Sequence, residues 1–534
     1  MMDADGIVAE LLRLLGTKRR VAEVSKEFST KRTNAERARF AYRLLEAHEL
    51  LPALGNEMFK AKKNGEAIKL YTHSVALAQE GAENLALAYA NRSAVLFEER
   101  FYEECLLDID RALANNYPDN LKMKLLSRQE KAKQLKAKQA PRAYHEPIPE
   151  IPEDHRNKRI QCASDAIKIH CTETQGRHVI ATRDVAPGEI LVVEKPFCHI
   201  LLEQFYNHCH ECLELCYNLI PCTGCTQVLY CSDKCGQDAV AYHKYECRIL
   251  ATVKKLKMDK LKLLPMKIAL LVKDKYSTIA DTSTADACED DTYCSDRYKE
   301  IHNLIPNTSK RLVADLFDRA ATAAIIFHLI KKFTDFFQND EEETVFQELV
   351  LLHMQTGACN FHEITELAEN QDDIYSPEEL GAGAYSFLSM FNHRCSPNVV
   401  RNCYGAVIVM RAVESIKKGE QCYDNYGYHH AVMPKTTRQA KLKRQYFFDC
   451  TCEVCTDNWP LYLDLPKIKT DVRVLEGDIF RLQQGDVETA KRVLWEILPK
   501  LKGLEEVKPN ISLAEIQEVV KQCYGLLANV RRTM

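Results

Sequence analysis

The chain has 534 residues, 46% apolar and 28% charged, with a net charge of −4. That is the balance of a multidomain protein with real cores. It excludes a nucleic-acid binder working through overall positive charge, and no run approaches the ~18 apolar residues of a transmembrane helix. The first residues, MMDADGIVAELLRLLG, lack the cleavage pattern of a secretory signal, so a cytoplasmic and/or nuclear protein is expected. In such a reducing setting 22 cysteines call for metal binding rather than disulfides.

Residues 1–138 read as all helix, because prolines are nearly absent and apolar residues recur three and four apart. An internal repeat begins near residue 54. Asn56 and Asn91 occupy equivalent places 35 residues apart, and a third unit starts after Pro118. This pattern resembles the tetratricopeptide (TPR) repeat, a stacked helix-turn-helix; the other reading is a plain helical bundle. Pro141, Pro147, Pro149 and Pro152 make 139–157 an extended linker.

Short strands follow at Ala166–His170, His178–Thr182 and Glu189–Glu194, with Pro187-Gly188 as a turn. Residues 251 to about 340 return to helix, interrupted by an acidic, Ser/Thr-rich loop near 278–296 that is expected to be mobile. Strands return near Val399–Val413, and the chain after 456 reads as helix.

Between Cys209 and Cys247 the ligand-type residues come in pairs. They are Cys209 and Cys212, Cys222 and Cys225, Cys231 and Cys235, then His243 and Cys247. Seven thiolates and an imidazole suffice for two closed tetrahedral zinc sites, which are structural rather than catalytic. So short a cysteine-rich segment draws its folding energy from the metal. Cys216 stands outside the pattern and reads as a small buried residue.

The spacing resembles the MYND zinc finger. The resemblance implies interleaved pairing: Cys209, Cys212, Cys231 and Cys235 on one zinc; Cys222, Cys225, His243 and Cys247 on the other. Three more segments, Gly176-Arg177-His178-Val179, Phe391 to Asn398 (FNHRCSPN) and Gly419 to Gly427 (GEQCYDNYG), resemble in this order the SET methyltransferase domain. A MYND finger set inside a SET domain, behind a TPR-like region, is similar to the SET and MYND domain-containing family, most of all its protein 4 branch.

The layout then implied is multidomain α+β. It comprises a helical TPR-like region (1–138), a linker (139–157), the first SET part (158–205), the finger (206–250), a helical insert (251–345), the SET core (346–430), a post-SET zinc segment (431–458) and a helical C-terminal region (459–534). Cys450, Cys452 and Cys455 supply three zinc ligands, and the resemblance implies Cys395 as the fourth.

The family resemblance further implies transfer of a methyl group from S-adenosylmethionine to a lysine of a protein substrate, histone or otherwise. An interaction scaffold with weak or absent activity is the alternative. The cofactor would be held by Gly176, Arg177, His178, Asn360, Asn392, His393, Tyr426, Tyr446 and Phe448, with Tyr426 as the catalytic tyrosine. Tyr423, Tyr426 and Tyr428 alternate like one face of a strand. Two departures stand out: His178 where many members have Gly, and Arg394 where Ser is common.

As partners, the resemblance points to peptides for the finger and the TPR groove. Asn56, Asn91, Lys124 and Arg128 match places where such grooves clamp the acidic tail of a chaperone, although Pro52 stands where a Lys is usual. A monomer is expected, without membrane or direct nucleic-acid contact.

Overall fold

The computed structural model describes residues 50–78, 80–139, 146–202, 206–280, 292–369 and 374–531. The helices expected in 1–49, linker residues 140–145 with Pro141, and residues 281–291 of the acidic loop lie outside them. The chain divides into two units. One takes 1–142, 204–238 and 533–534; the other takes 143–203 and 239–532.

In the first unit, helices α1 (Leu50–Lys60), α2 (Asn64–Leu77), α3 (Glu83–Glu98), α4 (Tyr102–Ala114) and α5 (Asp119–Lys136) follow one another through short turns. The α1–α2 and α3–α4 turns both pass through a left-handed residue, Lys62 at φ +60° and Arg100 at φ +63°. Fully buried Ala67, Ala86 and Ala88 let the helix backbones approach closely.

A buried ion pair ties this unit together. Arg92 Nε and Nη2 donate to Asp108 at 2.7 and 2.9 Å, Nη1 donates to Thr72 at 3.1 Å, and Nη2 also reaches the Leu219 carbonyl at 2.9 Å. Arg111 donates to Asp108 and to the Asn218 carbonyl. A buried guanidinium is tolerable because its donors are matched. The bonds to Asn218 and Leu219 seat the backbone that leads into a hairpin of Ile220–Pro221 with Leu229–Tyr230.

The second unit carries the sheets. Strands β1 (Ile167–Thr172) and β2 (Gly176–Ala181) form an antiparallel hairpin. Next come β3 (Ile190–Glu194), β4 (Cys198–Leu201), β5 (Phe361–Glu369), β6 (Tyr375–Ala384), β7 (Asn392–His393), β8 (Val399–Tyr404), β9 (Val407–Ala412), β10 (Tyr423–Asp424) and β11 (Val530–Arg531). One sheet runs β8-β9-β3, another β11-β5-β6-β4, and β7 pairs in parallel with β10.

Helices α6 (Lys260–Leu271), α7 (Val313–Phe333) and α8 (Asp340–Asn360) lie between β4 and β5 in the chain. Asn339 caps α8 by accepting from Glu342 N at 2.9 Å, and Asp340 to Glu343 complement the helix dipole. Toward the end come α9 (Lys435–Tyr446), α10 (Glu476–Gln483), α11 (Val487–Ile497) and α12 (Ile511–Leu526). The last three share a core of Leu482, Val493, Leu513, Ile516 and Val520.

The sequence pattern closes the helical insert at 345, but α8 runs to Asn360. Val345, Phe346, Leu349, Val350 and Met354 are buried, and they keep the helical period going. The β5–β6 hairpin is not legible in the pattern, since FHEITELAE reads as helix and Pro377 and two glycines, Gly381 and Gly383, mask β6. β11 is a two-residue strand that pairs in parallel with β5 at the end of a region reading as helix.

Candidate active site

Parallel pairing of β7 with β10 sets Asn392 opposite Tyr423 and His393 opposite Asp424. Two segments about thirty residues apart thereby form one wall. A cleft of about 350 Å3 opens there. Its lining comprises Thr174, Gln175, Asn392, His393, Gln421, Tyr423, Tyr426, Phe448, Asp449, Cys450, Thr451 and Cys452.

His393 is the pivot. Its Nδ1 accepts from Tyr426 N at 3.1 Å, so the ring proton sits on Nε2, which lies 3.4 Å from Cys395 Sγ. Burial lowers its pKa to about 4, with Arg438 pushing the same way. The ring is therefore neutral at physiological pH. Tyr426 stacks 4.7 Å from Tyr446 and 5.2 Å from His393, and its hydroxyl donates to the Phe391 carbonyl at 2.8 Å. With the proton committed there, the phenol oxygen keeps lone pairs for an incoming group. Burial raises the Tyr426 pKa, so the phenol stays neutral.

Of the expected cofactor residues, Asn392, His393, Tyr426 and Phe448 line the cleft. Gly176 follows Gln175 directly, at φ +64°, a conformation suited to glycine; a Cβ there would meet nothing within 4 Å. Tyr446 stands behind Tyr426. The structure does not bring Arg177, His178 or Asn360 into the wall. Arg177 donates to the Asn303 carbonyl at 3.0 Å. His178 is buried against His170, with Nδ1 2.9 Å from the Gly176 carbonyl. Asn360, the last residue of α8, donates to the Thr356 and Ile305 carbonyls. Backbone acceptors have taken these side chains.

Tyr423, Tyr426 and Tyr428 do not share one strand face. Only Tyr423 is in β10, and Tyr426 and Tyr428 lie in the loop beyond it. Arg394 pairs with Glu453 at 3.0 Å instead of facing the cleft.

Gln175 and Gln421 are cleft residues the sequence reading passed over. They join through Gln421 Nε2 to Gln175 Oε1 at 2.6 Å, while buried Gln421 Oε1 has no partner. An unmatched acceptor there suits a ligand bearing N–H or O–H donors. Gln175 immediately precedes the Gly176 motif and Gln421 lies within the Gly419–Gly427 segment, which was the available signal.

No described cysteine is in a disulfide. Cys395, Cys450, Cys452 and Cys455 bring their sulfurs within 4.8 Å of one another, as do Cys209, Cys212, Cys231 and Cys235. A tetrahedron with Zn–S near 2.3 Å has edges of about 3.8 Å. The Cys395–Cys455 and Cys212–Cys231 separations, 3.5 and 3.7 Å, fit it. Cys222 and Cys225 belong to the first unit, and His243 and Cys247 to the second. His243 Nδ1 is 2.9 Å from Glu246, the outer partner that orients a metal-binding imidazole. Cys216 is buried, as expected, and bonds to Asn218.

A second groove, about 560 Å3, is lined by β8 residues Val399 to Arg401, by Asp424, Asn425 and His429, and by Gln517, Glu518 and Lys521 of α12. Arg401 pairs with Asp424 along it. Tyr426 is two residues from Asp424, so a single loop borders both the cleft and the groove.

Among the clamp residues, Asn56 accepts from the Tyr71 hydroxyl at 2.7 Å, Asn91 is half-buried and Lys124 is exposed. Arg128 Nη1 donates to the Ala90 carbonyl and to Ser93, at 2.8 and 2.7 Å, which binds it into the helix packing.

Residues 176–427 match the SET domain family. The chain is 25% identical over 520 residues to protein-lysine N-methyltransferase SMYD4 of Danio rerio, covering 82% of this chain and 67% of that protein. To human SMYD4 it is 25% identical over 531 residues, covering 75% and 66%. To human N-lysine methyltransferase SMYD2 it is 25% identical over 331 residues, covering 60% and 68%. The chain thus spans about two thirds of the length of these relatives. A solved SET domain of LSMT bound to lysine and AdoHcy aligns with a TM-score of 0.27 at 10% identity, over 68% of this chain and 85% of that one, too weak a likeness to carry an argument.

Proposed function

We propose that the chain is a protein-lysine N-methyltransferase using S-adenosylmethionine, of the SET and MYND domain-containing type and most like its protein 4 branch; the SET match over residues 176–427 and the 25% identity to SMYD4 proteins support that reading. The observation that carries the proposal is the joining of Asn392-His393, the Thr174-Gln175 turn, Tyr426 and Phe448 around one cleft.

S-adenosylmethionine, when bound, supplies an electrophilic methyl group on a sulfonium. Asn392, Gln175 and Gln421 offer it amide groups, and Phe448 offers an aromatic face. His393 stays neutral and fixes the Tyr426 backbone. The Tyr426 oxygen, its proton held by Phe391, presents lone pairs to the attacking amine. That amine must be unprotonated to attack, and aromatic walls favour its neutral form by desolvation. The second groove, which Asp424 and Asn425 border, is the place we assign to the substrate segment.

Zinc is the natural occupant of the thiolate quartets: two ions in a MYND-type finger and one in a post-SET site. The repeated helical hairpins support a TPR-like peptide groove. For an acidic chaperone tail Lys124 is the exposed cation, while Arg128 already holds α3. We place the protein, as a monomer, in the cytoplasm and/or nucleus, where thiolates stay reduced. No helix among the described residues is long and apolar enough to cross a membrane.

Incubation with radiolabelled S-adenosylmethionine and candidate proteins tests the activity. Label on lysine is expected; no label together with no cofactor binding by calorimetry refutes it, and cofactor binding without transfer leaves the scaffold reading.

A further inference from the structure

Helix α9 has the composition of a solvated basic face, with Lys435, Arg438, Lys441, Lys443 and Arg444. Arg438 breaks that pattern, at only 1% exposure. Its Nε donates to Cys395 Sγ at 3.2 Å, Nη2 to Cys455 Sγ at 3.7 Å and Nη1 to the Met433 carbonyl at 2.6 Å. None of these acceptors is a carboxylate.

A buried cation needs buried negative charge to offset its desolvation. A neutral thiol is a poor acceptor and carries no charge. Four thiolates around Zn2+ carry a net charge of −2, so a guanidinium against two of them meets its match. Lysine would replace it only in part, since a single ammonium keeps the charge but lacks the planar fork that spans two sulfurs.

Cys395 Sγ also accepts a hydrogen bond from His393 Nε2–H at 3.4 Å. Two N–H donors converge on this one sulfur, one from a buried cation and one from the cleft histidine. The other nitrogen of that histidine holds the Tyr426 backbone.

We propose that Arg438 is a positioning residue, which acts through the sulfurs of the Cys395–Cys455 zinc site to fix the His393 ring in the cofactor cleft. The inference rests on the zinc reading of that quartet. Without the guanidinium, the negative charge of the quartet is buried without its counterion, so zinc leaves sooner. Cys395 then no longer holds its place as acceptor for His393.

The test uses the full zinc-loaded chain. Zinc release to a chromophoric chelator is followed for wild type, Arg438→Met, Arg438→Lys and the control Lys435→Met. Removal of an outer partner of this kind costs about 10–100-fold in metal affinity. Arg438→Met should release one zinc faster by a factor of that order and leave the finger zincs unchanged. Arg438→Lys should fall between, and Lys435→Met should match wild type. With cobalt(II) in the quartet, the sulfur-to-metal charge-transfer band should shift in Arg438→Met and move partway back in Arg438→Lys. S-adenosylhomocysteine should bind Arg438→Met more weakly even at saturating zinc.

A folded Arg438→Met with wild-type release and band position overturns the proposal. Should Arg438→Met lose cooperative melting, Arg438→Lys decides, and wild-type release from it overturns the proposal equally. If Cys395→Ala leaves the zinc content unchanged, the zinc reading itself fails and the proposal falls with it.

Discussion

Replacing Tyr426 with Phe removes one oxygen and leaves the ring. The contacts at 4.7 Å to Tyr446 and 5.2 Å to His393 survive, and so does the backbone N–H held by His393. What is lost is the 2.8 Å donor to the Phe391 carbonyl. An acceptor left unmatched in a buried place costs roughly 1–3 kcal/mol, and the fold should tolerate that. The rate should fall further. A preorganised polar contact at a reacting centre is worth about 10²–10³ in rate, or about 2.7–4 kcal/mol. Single-turnover transfer from labelled cofactor reads the chemical step, and calorimetry with S-adenosylhomocysteine reads binding. The expected pattern is a large loss of rate with affinity nearly unchanged. A rate within about fivefold of wild type, or an affinity loss as large as the rate loss, would refute the role of the hydroxyl.

Gly176→Ala should cost stability by only about 1–2 kcal/mol, the strain of a left-handed L-residue, because its Cβ meets no protein atom. A much larger loss of S-adenosylhomocysteine affinity would then report close approach of the ligand to the backbone, whereas equal affinity would exclude that. Cys395→Ala should lower bound zinc by one ion and abolish S-adenosylhomocysteine binding, while Cys231→Ala should lose finger zinc and keep that binding; mass spectrometry and calorimetry separate the two. Arg92→Ala leaves Asp108 buried without its main partner and should destabilise the first unit by about 3–5 kcal/mol, seen as faster limited proteolysis; Arg92→Met paired with Asp108→Leu should cost less. The carboxyl of Glu194 is pushed up to about 8 by burial, against the N–H donors of Phe387 and Leu388. The native state then keeps a proton that the unfolded chain releases near 4.5, so stability should fall as pH rises from about 4.5 to about 8. Urea midpoints across that range should show the fall in wild type and not in Glu194→Gln; equal slopes would remove Glu194 as the cause.

Local chemistry was legible wherever it is written in spacing. The paired cysteines, the repeat of Asn56 and Asn91, and the ordered Gly176, Asn392-His393 and Tyr426 segments need no long-range information to be seen. The membership of Cys395 in a quartet with Cys450, Cys452 and Cys455 came from family likeness, since nothing local links residues 55 apart. The pattern failed where tertiary partners override it. Strand β5 reads as helix until β6 pairs with it, and β11 exists only because β5 offers an open edge.

Side-chain commitments were beyond the sequence for the same reason. Arg177, His178 and Asn360 sit in matching motifs, yet nearby carbonyls capture them. Arg438 hides in a basic helix until the fold sets two sulfurs in front of it. The sequence by itself determined which atoms can bind metal and which segments can meet a cofactor, because those depend on residue type and order. Only the tertiary structure decided which side chains face the cleft and which are held elsewhere. That choice is made by burial, which obliges each polar group to take the nearest partner the packing supplies.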